Sequence, residues 1–314
     1  MQNDLDAMRA YTMTLARRAA KDIREDGFRQ LRGYVDMGAA LSRTAGHKYF
    51  FSVAQKTLEK ADSLYYQLLQ KALATVDTQR VCTLGVNVGI DCFTYGARQL
   101  REAREQDRPV PPWMVLFDTP AASADAAHSD PAAAKAAHTA RIAAGEPEGT
   151  YLYTLACADT QDVLDAAKEA EAHEKSTFFL RLTPALVTDE TAAALGATYN
   201  TIPVVELPGL AIDDKAAAAC AALRAQKMFY GLFVPVAPEE QELLFSQPYL
   251  QTLADQTLLC ICRNTAAEDH AAAHRLQKGV YKSRTKQCLP VVLMDYDADA
   301  HSVSKYMQSE TQTA

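Results

Sequence analysis

Glycine-rich loops, paired cysteines and long apolar stretches are all scarce in this chain, and each shortage closes off a class of protein. Thirteen Gly and 13 Pro in 314 residues are too few for a collagen-like or low-complexity chain. No run approaches the roughly 18 apolar residues of a membrane helix, so no membrane partner is expected. The first 30 residues carry charge at almost every helical turn and lack the continuous apolar core of a secretory signal, which points to a cytoplasmic protein. The seven cysteines, at 82, 92, 157, 220, 260, 262 and 288, are odd in number and sit mostly inside apolar runs. That is the pattern of reduced, buried thiols and not of a disulfide framework.

Sequence motifs are equally sparse. No G-x4-G-K-[ST] phosphate loop occurs, and Gly85, Gly89 and Gly96 do not fit G-x-G-x-x-G. G-x-S-x-G is missing, and no Ser or Cys stands beside a base in a recognisable turn, so covalent hydrolase chemistry has no support. His270 and His274 share a helix face, but the Glu of H-E-x-x-H is lacking. Cys260 and Cys262 share a strand face among Leu and Ile and read as core. No metal site is predicted from these groups.

What the chain does have is alternation. The first 78 residues read as helices over 4–23, 28–42, 48–60 and 64–76, separated at Gly27, at Gly46 and near Ser63. From residue 81 onward, short apolar runs alternate with helical stretches. The runs are 81–87, 113–118, 150–157, 176–182, 201–207, 229–236, 257–264 and 289–295, and their starts lie 25 to 37 residues apart. That spacing is the length of a βα unit, so the expected fold is α/β, a (β/α)8 TIM-barrel-like domain, full or partial, over 79–308. The N-terminal helical region, 1–78, precedes it, and 309–314 form a frayed tail. The Ala-rich stretch 119–149, with Pro120, Pro131 and Pro147, reads as a long loop near one barrel mouth.

Charge divides the chain similarly. Residues 1–80 hold 13 Lys and Arg against 9 Asp and Glu, whereas 81–314 hold 19 against 30, within a net charge of -7. A mild excess spread over four helices is too dilute for nucleic acid. It leaves the N-terminal helices as a candidate docking face for a partner protein or peptide.

In a parallel barrel, function collects where the strands end. Arg181 and Glu206 are each the sixth residue of an otherwise apolar run, at matching positions on adjacent strands. A buried charge there needs a partner, and together the two could clamp and orient an anionic ligand or move a proton. With Asp118 they form the candidate catalytic set. Asn87, Asp91, Arg263 and Asp295, at the ends of other runs, are the candidate cofactor-binding residues. Asp118, Glu206 and Asp295 could also converge on a divalent cation.

The segment TLGVNVGIDCFTYGARQLRE, read as a strand ending at Asn87 followed by a Cys-containing aromatic loop and a helix, resembles the start of a radical S-adenosylmethionine barrel. In that family the loop carries C-x3-C-x2-C for a [4Fe-4S] cluster, and the second strand ends in Gly-Gly-Glu, which contacts the methionine amine. Here only Cys92 falls in the loop and the second run ends Phe117-Asp118-Thr119-Pro120, so no cluster is expected. S-adenosylmethionine remains a ligand that the resemblance implies. The resemblance covers the first two runs and the barrel plan. Two functional expectations follow. One is a barrel binding a small polar or anionic metabolite at its mouth, as a lyase, isomerase or hydrolase. The other is a catalytically inert, radical S-adenosylmethionine-like accessory protein that docks a partner.

Overall fold

The structure, a computed structural model, describes residues 2–42, 45–117, 131–266, 268–286 and 289–309. Seven of the eight apolar runs are strands: β1 (Met114–Phe117), β2 (Leu152–Ala156), β3 (Thr177–Leu182), β4 (Thr201–Glu206), β5 (Gly231–Val236), β6 (Leu259–Asn264) and β7 (Val292–Asp295). They form one sheet in the order β1-β2-β3-β4-β5-β6-β7, every pair parallel. The sheet is curled into a half-barrel, consistent with the partial form of the expected barrel, with seven strands and not eight among the described residues. Consecutive parallel neighbours require a crossover in each connection. These crossovers are α6 (Pro131–Glu148), α7 (Thr160–Ala172), α8 (Asp189–Ala197), α9 (Asp214–Ala225), the short α10 (Gln241–Leu244) with α11 (Gln247–Gln256), and α12 (His270–Lys286). Several begin on side-chain caps that the sequence advertises: Asp159, Thr188, Asp213 and Ser246 each accept from a backbone N–H of the first turn.

Strand alternation separates the two faces. Tyr153, Phe178, Leu180, Leu182, Val205, Leu232, Val234, Cys260 and Leu293 point toward the crossover helices and form the main core. Ile202, Val204, Phe233, Leu259 and Ile261 point to the opposite, inner face, where Leu84 and Tyr296 cover them. The sheet is therefore buried on both sides, which explains its near-continuous apolar runs. Its inner face is roofed by helices from either end of the chain: α4 (Thr78–Val86), α5 (Ala97–Glu105) and the C-terminal α13 (Tyr296–Ser309). Met307 of α13 packs with Leu100 and Leu152, and Trp113 Nε1 donates to the Ala300 carbonyl.

The run 81–87, expected as the first strand, is helical. It belongs to α4, which passes without a break into a π-helix over Asn87–Gly96 and then into α5. Asp77 caps α4 by accepting from Arg80 N. The run is apolar because this helix is buried on two sides. Cys82 packs on α1 (Gln2–Leu41) and α3 (Leu64–Thr75), while Leu84 packs on the sheet. A helix apolar all round and a buried strand give the same short apolar run.

Two further boundaries differ from expectation. The predicted helices 4–23 and 28–42 are one element, α1, which continues through Gly27 at φ +55. That conformation favours glycine, and a Cβ there would lie 2.8 Å from the Tyr66 hydroxyl. Most of the described part of 119–149 is helix α6, with Pro131 at its start and Gly149 at φ +99 just past its end; its alanines were a helix signal. α2 (Ala45–Thr57) folds back along the second half of α1. The described cysteines, 82, 92, 157, 220, 260 and 262, are all unpaired and buried; Cys288 lies outside the described residues. Among the described residues no helix is long and apolar enough to cross a membrane.

Candidate binding site at the strand ends

Arg181 and Glu206 meet as their positions in the runs suggest. Arg181 Nη2 donates to Glu206 Oε1 at 2.9 Å, with the Arg side chain 10% and the Glu side chain 36% exposed. Both point to the inner face at the carboxyl end of the sheet, because Arg181 has the parity of Phe179, and Glu206 that of Ile202 and Val204. The guanidinium lies over the Phe233 ring, 4.3 Å from its centroid. Phe233 meets Tyr296 edge-on at 5.5 Å, and Arg263 lies over the Tyr296 ring at 5.0 Å while its Nε donates to Asp297 Oδ2 at 3.3 Å. The result is a ladder, Arg181–Phe233–Tyr296–Arg263, with a partly exposed carboxylate at each end. A guanidinium stacked on a ring is desolvated on one face and recognises anions through the in-plane edge of its fork.

Phe233 and Tyr296 were not singled out from the sequence, although Phe233 has the inward parity of Arg263 on the next strand. Tyr296 could not be read at all, because it starts α13 directly after β7 and joins the site only by the packing of that helix on the inner face.

The other described candidates, Asn87, Asp91 and Asp295, lie elsewhere. Asp118 is outside the described residues. Asn87 and Asp91 are not at the mouth. Asn87 Nδ2 donates to the carbonyls of Glu174 and Ser176, just before β3, so the pair sits at the opposite, amino end of the sheet. The reason is the helical state of 81–96, which turns a supposed strand end into the middle of a helix. There the two residues hold Arg9 of α1, which donates to Asp91 Oδ2 at 2.9 Å and to Asn87 Oδ1 at 2.8 Å. Burial pushes the Asp91 carboxyl up to about 6 although Arg9 pulls it down. Asp295 pairs with Cys262 in register and so faces the crossover helices, away from Arg181. Its Oδ1 caps α13 by accepting from Ala298 N, and burial pushes its carboxyl up. Glu206 and Asp295 thus point to opposite faces of the sheet, and among the described residues no group of three or more His, Cys, Asp or Glu side chains is placed to hold a metal ion.

Cys92, the residue that matched the cluster loop of the resembling family, is fully buried in the π-helix, and burial raises its thiol far above its ordinary pKa. Among the described residues no group of three or more His, Cys, Asp or Glu side chains surrounds it, whereas a [4Fe-4S] cluster takes several thiolates.

A cavity of about 340 Å3 opens on the other side of the sheet, between α6 and α7, where Lys135, His138, Cys157, Asp162 and Asp165 line it. Lys135 Nζ bridges Asp162 and Asp165 at 2.9 and 3.2 Å. His138 packs against Phe117, the ring centroids 4.0 Å apart and the planes tilted by 36°, and burial lowers its pKa. Its charges are largely satisfied internally, whereas the two guanidinium groups of the inner face end at partly exposed carboxylates.

The fold and site thus define an α/β protein with a parallel half-barrel closed by helices on its inner face. Comparison with protein families, with curated proteins and with solved structures finds no significant match.

Proposed function

We propose that this protein binds a small anionic metabolite at the carboxyl end of its half-barrel, with Arg181 as the principal anchor and Arg263 as the second. The observation that carries this reading is the state of Arg181. It is nearly buried, stacked on Phe233, and paired with a Glu206 that is more than a third exposed. A ligand carboxylate or phosphate entering from the mouth can replace Glu206 on the guanidinium as a bidentate partner. Glu206, displaced but still adjacent, is then the group within reach to take or give a proton, as a lyase, isomerase or hydrolase would require. S-adenosylmethionine, whose methionine carboxylate suits the same guanidinium, and divalent cations are cofactors to include in the test. Thermal-shift titration with a panel of carboxylates, phosphates and these cofactors is expected to find a stabilising ligand. Arg181→Ala should abolish its shift, Arg263→Ala should weaken binding about tenfold, and Glu206→Gln should strengthen binding by freeing Arg181. A shift that survives both arginine substitutions would overturn the assignment.

A second reading is the inert accessory protein. The α1–α2 hairpin favours it, because Met37, Phe50 and Val53 are 41%, 61% and 44% exposed there. Phe50→Asp with Val53→Asp should then release a co-purifying partner without altering the folded state.

A further inference from the structure

Helix α12 carries a charge pattern that neither reading uses. Its sequence, HAAAHRLQKGVYKSRTK, contains no Asp or Glu. Ala272, Leu276, Val280 and Ser283 are buried against the sheet, while Arg275, Lys278, Lys282 and Lys286 are all exposed. At 3.6 residues per turn these four fall within an arc of about 80° and span about 16 Å along the axis. Among the described residues none of them enters an ion pair, whereas the fifth cation of the helix, Arg284, is held by Asp299 at 2.9 Å. Tyr281, 65% exposed, stands beside the stripe.

The helix dipole accounts for cations in the last turn but not for Arg275 and Lys278, which lie further toward the amino end. Lys278, Lys282 and Lys286 follow one another at i,i+4, a spacing at which like charges weaken a helix. Residues 81–314 hold 19 Lys and Arg against 30 Asp and Glu, and five of those 19 are in α12. The stripe is therefore a local positive strip on an acidic body.

We propose that the outer face of α12 docks a short acidic segment of a partner protein, with carboxylates three or four residues apart on one face of a helix. That spacing matches the cations along the stripe, and the Tyr281 ring offers apolar contact to the aliphatic parts of the acidic side chains. The occupant is short because the four cations span only about 16 Å along the axis. Contacts of this kind are weak individually and strongly salt-dependent.

The test is fluorescence anisotropy of a labelled three-turn helical peptide with Glu at i,i+4 spacing, titrated with the full chain in 20 mM and 200 mM salt. Wild-type protein is expected to bind at low salt and to lose at least tenfold in affinity at high salt. The variant K278E/K282E, altered only at exposed positions, should lose at least tenfold at low salt, with circular dichroism unchanged. K215E, an exposed reversal on α9, should lose less than twofold. Equal losses for K215E and K278E/K282E would overturn the proposal, as would no binding at 20 mM salt. Tighter binding of a single-stranded oligonucleotide of equal charge, lost in K278E/K282E, would overturn it in favour of nucleic acid.

Discussion

Replacing Arg80 by Met should remove about 3–5 kcal/mol of stability. The guanidinium, 1% exposed, reaches from α4 under the sheet. Its Nη2 donates to the carbonyls of Leu195 and Gly196 at 3.2 and 2.9 Å, and its Nη1 donates to those of Thr198 and Thr201. Leu195, Gly196 and Thr198 lie at the end of α8, where the last carbonyls lack helical partners and carry the negative end of the dipole. At the lower end of the range for a charged donor, about 1.5–2 kcal/mol each, the four bonds contribute about 6–8 kcal/mol. Against them stands the cost of burying the cation, which lowers its pKa to about 10 and amounts to roughly 3 kcal/mol at 1.36 kcal/mol per pKa unit. Methionine recovers that cost and keeps most of the apolar stem, but it leaves the four carbonyls facing a thioether. Arg80→Lys retains the charge without the fork and should lose roughly half as much. Urea denaturation followed by circular dichroism, with both variants compared at constant m value, reads the difference. A loss below about 1 kcal/mol for Arg80→Met would show that these bonds do not join α4 to the sheet as argued.

Other perturbations test other joints. Because burial holds the Asp91 carboxyl near 6 and an unfolded Asp titrates near 3.9, the folded state binds this proton more tightly. Asp91 therefore contributes stability below about pH 4 that is lost as pH rises through 6. The stability of wild type minus that of Asp91→Asn should fall by about 2 kcal/mol between pH 4.5 and pH 7 in urea titrations, and a rise would contradict the sign. Gly145→Ala would set a Cβ 1.8 Å from the Tyr153 hydroxyl, whose one proton is shared between the carbonyls of Thr150 and Ile142 at 3.0 and 3.2 Å. Overpacking of about 1–3 kcal/mol should outweigh the helix-propensity gain of about 1 kcal/mol. In a Tyr153→Phe background the same substitution should cost at least about 1 kcal/mol less, and strict additivity in the double-mutant cycle would exclude the clash.

The parallel half-barrel was legible because the central strands are buried on both faces and several crossovers begin with a cap, so apolar runs and helical stretches alternate at the length of a βα unit. Arg181 and Glu206 were legible for a related reason: a charge inside an apolar run needs a partner, and equal positions on neighbouring parallel strands put one within reach. The first run misled, since Val81 to Asn87 has the composition of a strand and the surroundings of a buried helix. Asn87 and Asp91 were displaced with it from one end of the sheet to the other.

The chain alone therefore determined the number and direction of its strands to within one, the side on which most of its helices lie, and the pairing of one buried cation with one carboxylate. Those follow from local periodicity and from the cost of leaving a charge alone in an apolar setting. Only the tertiary structure decided that α4 and α13 roof the inner face, that Arg9 reaches Asp91, and that Tyr296 completes the ladder between the two arginines. Each of these joins residues far apart in sequence through packing, and a periodicity read one segment at a time carries no record of which distant surface will cover it.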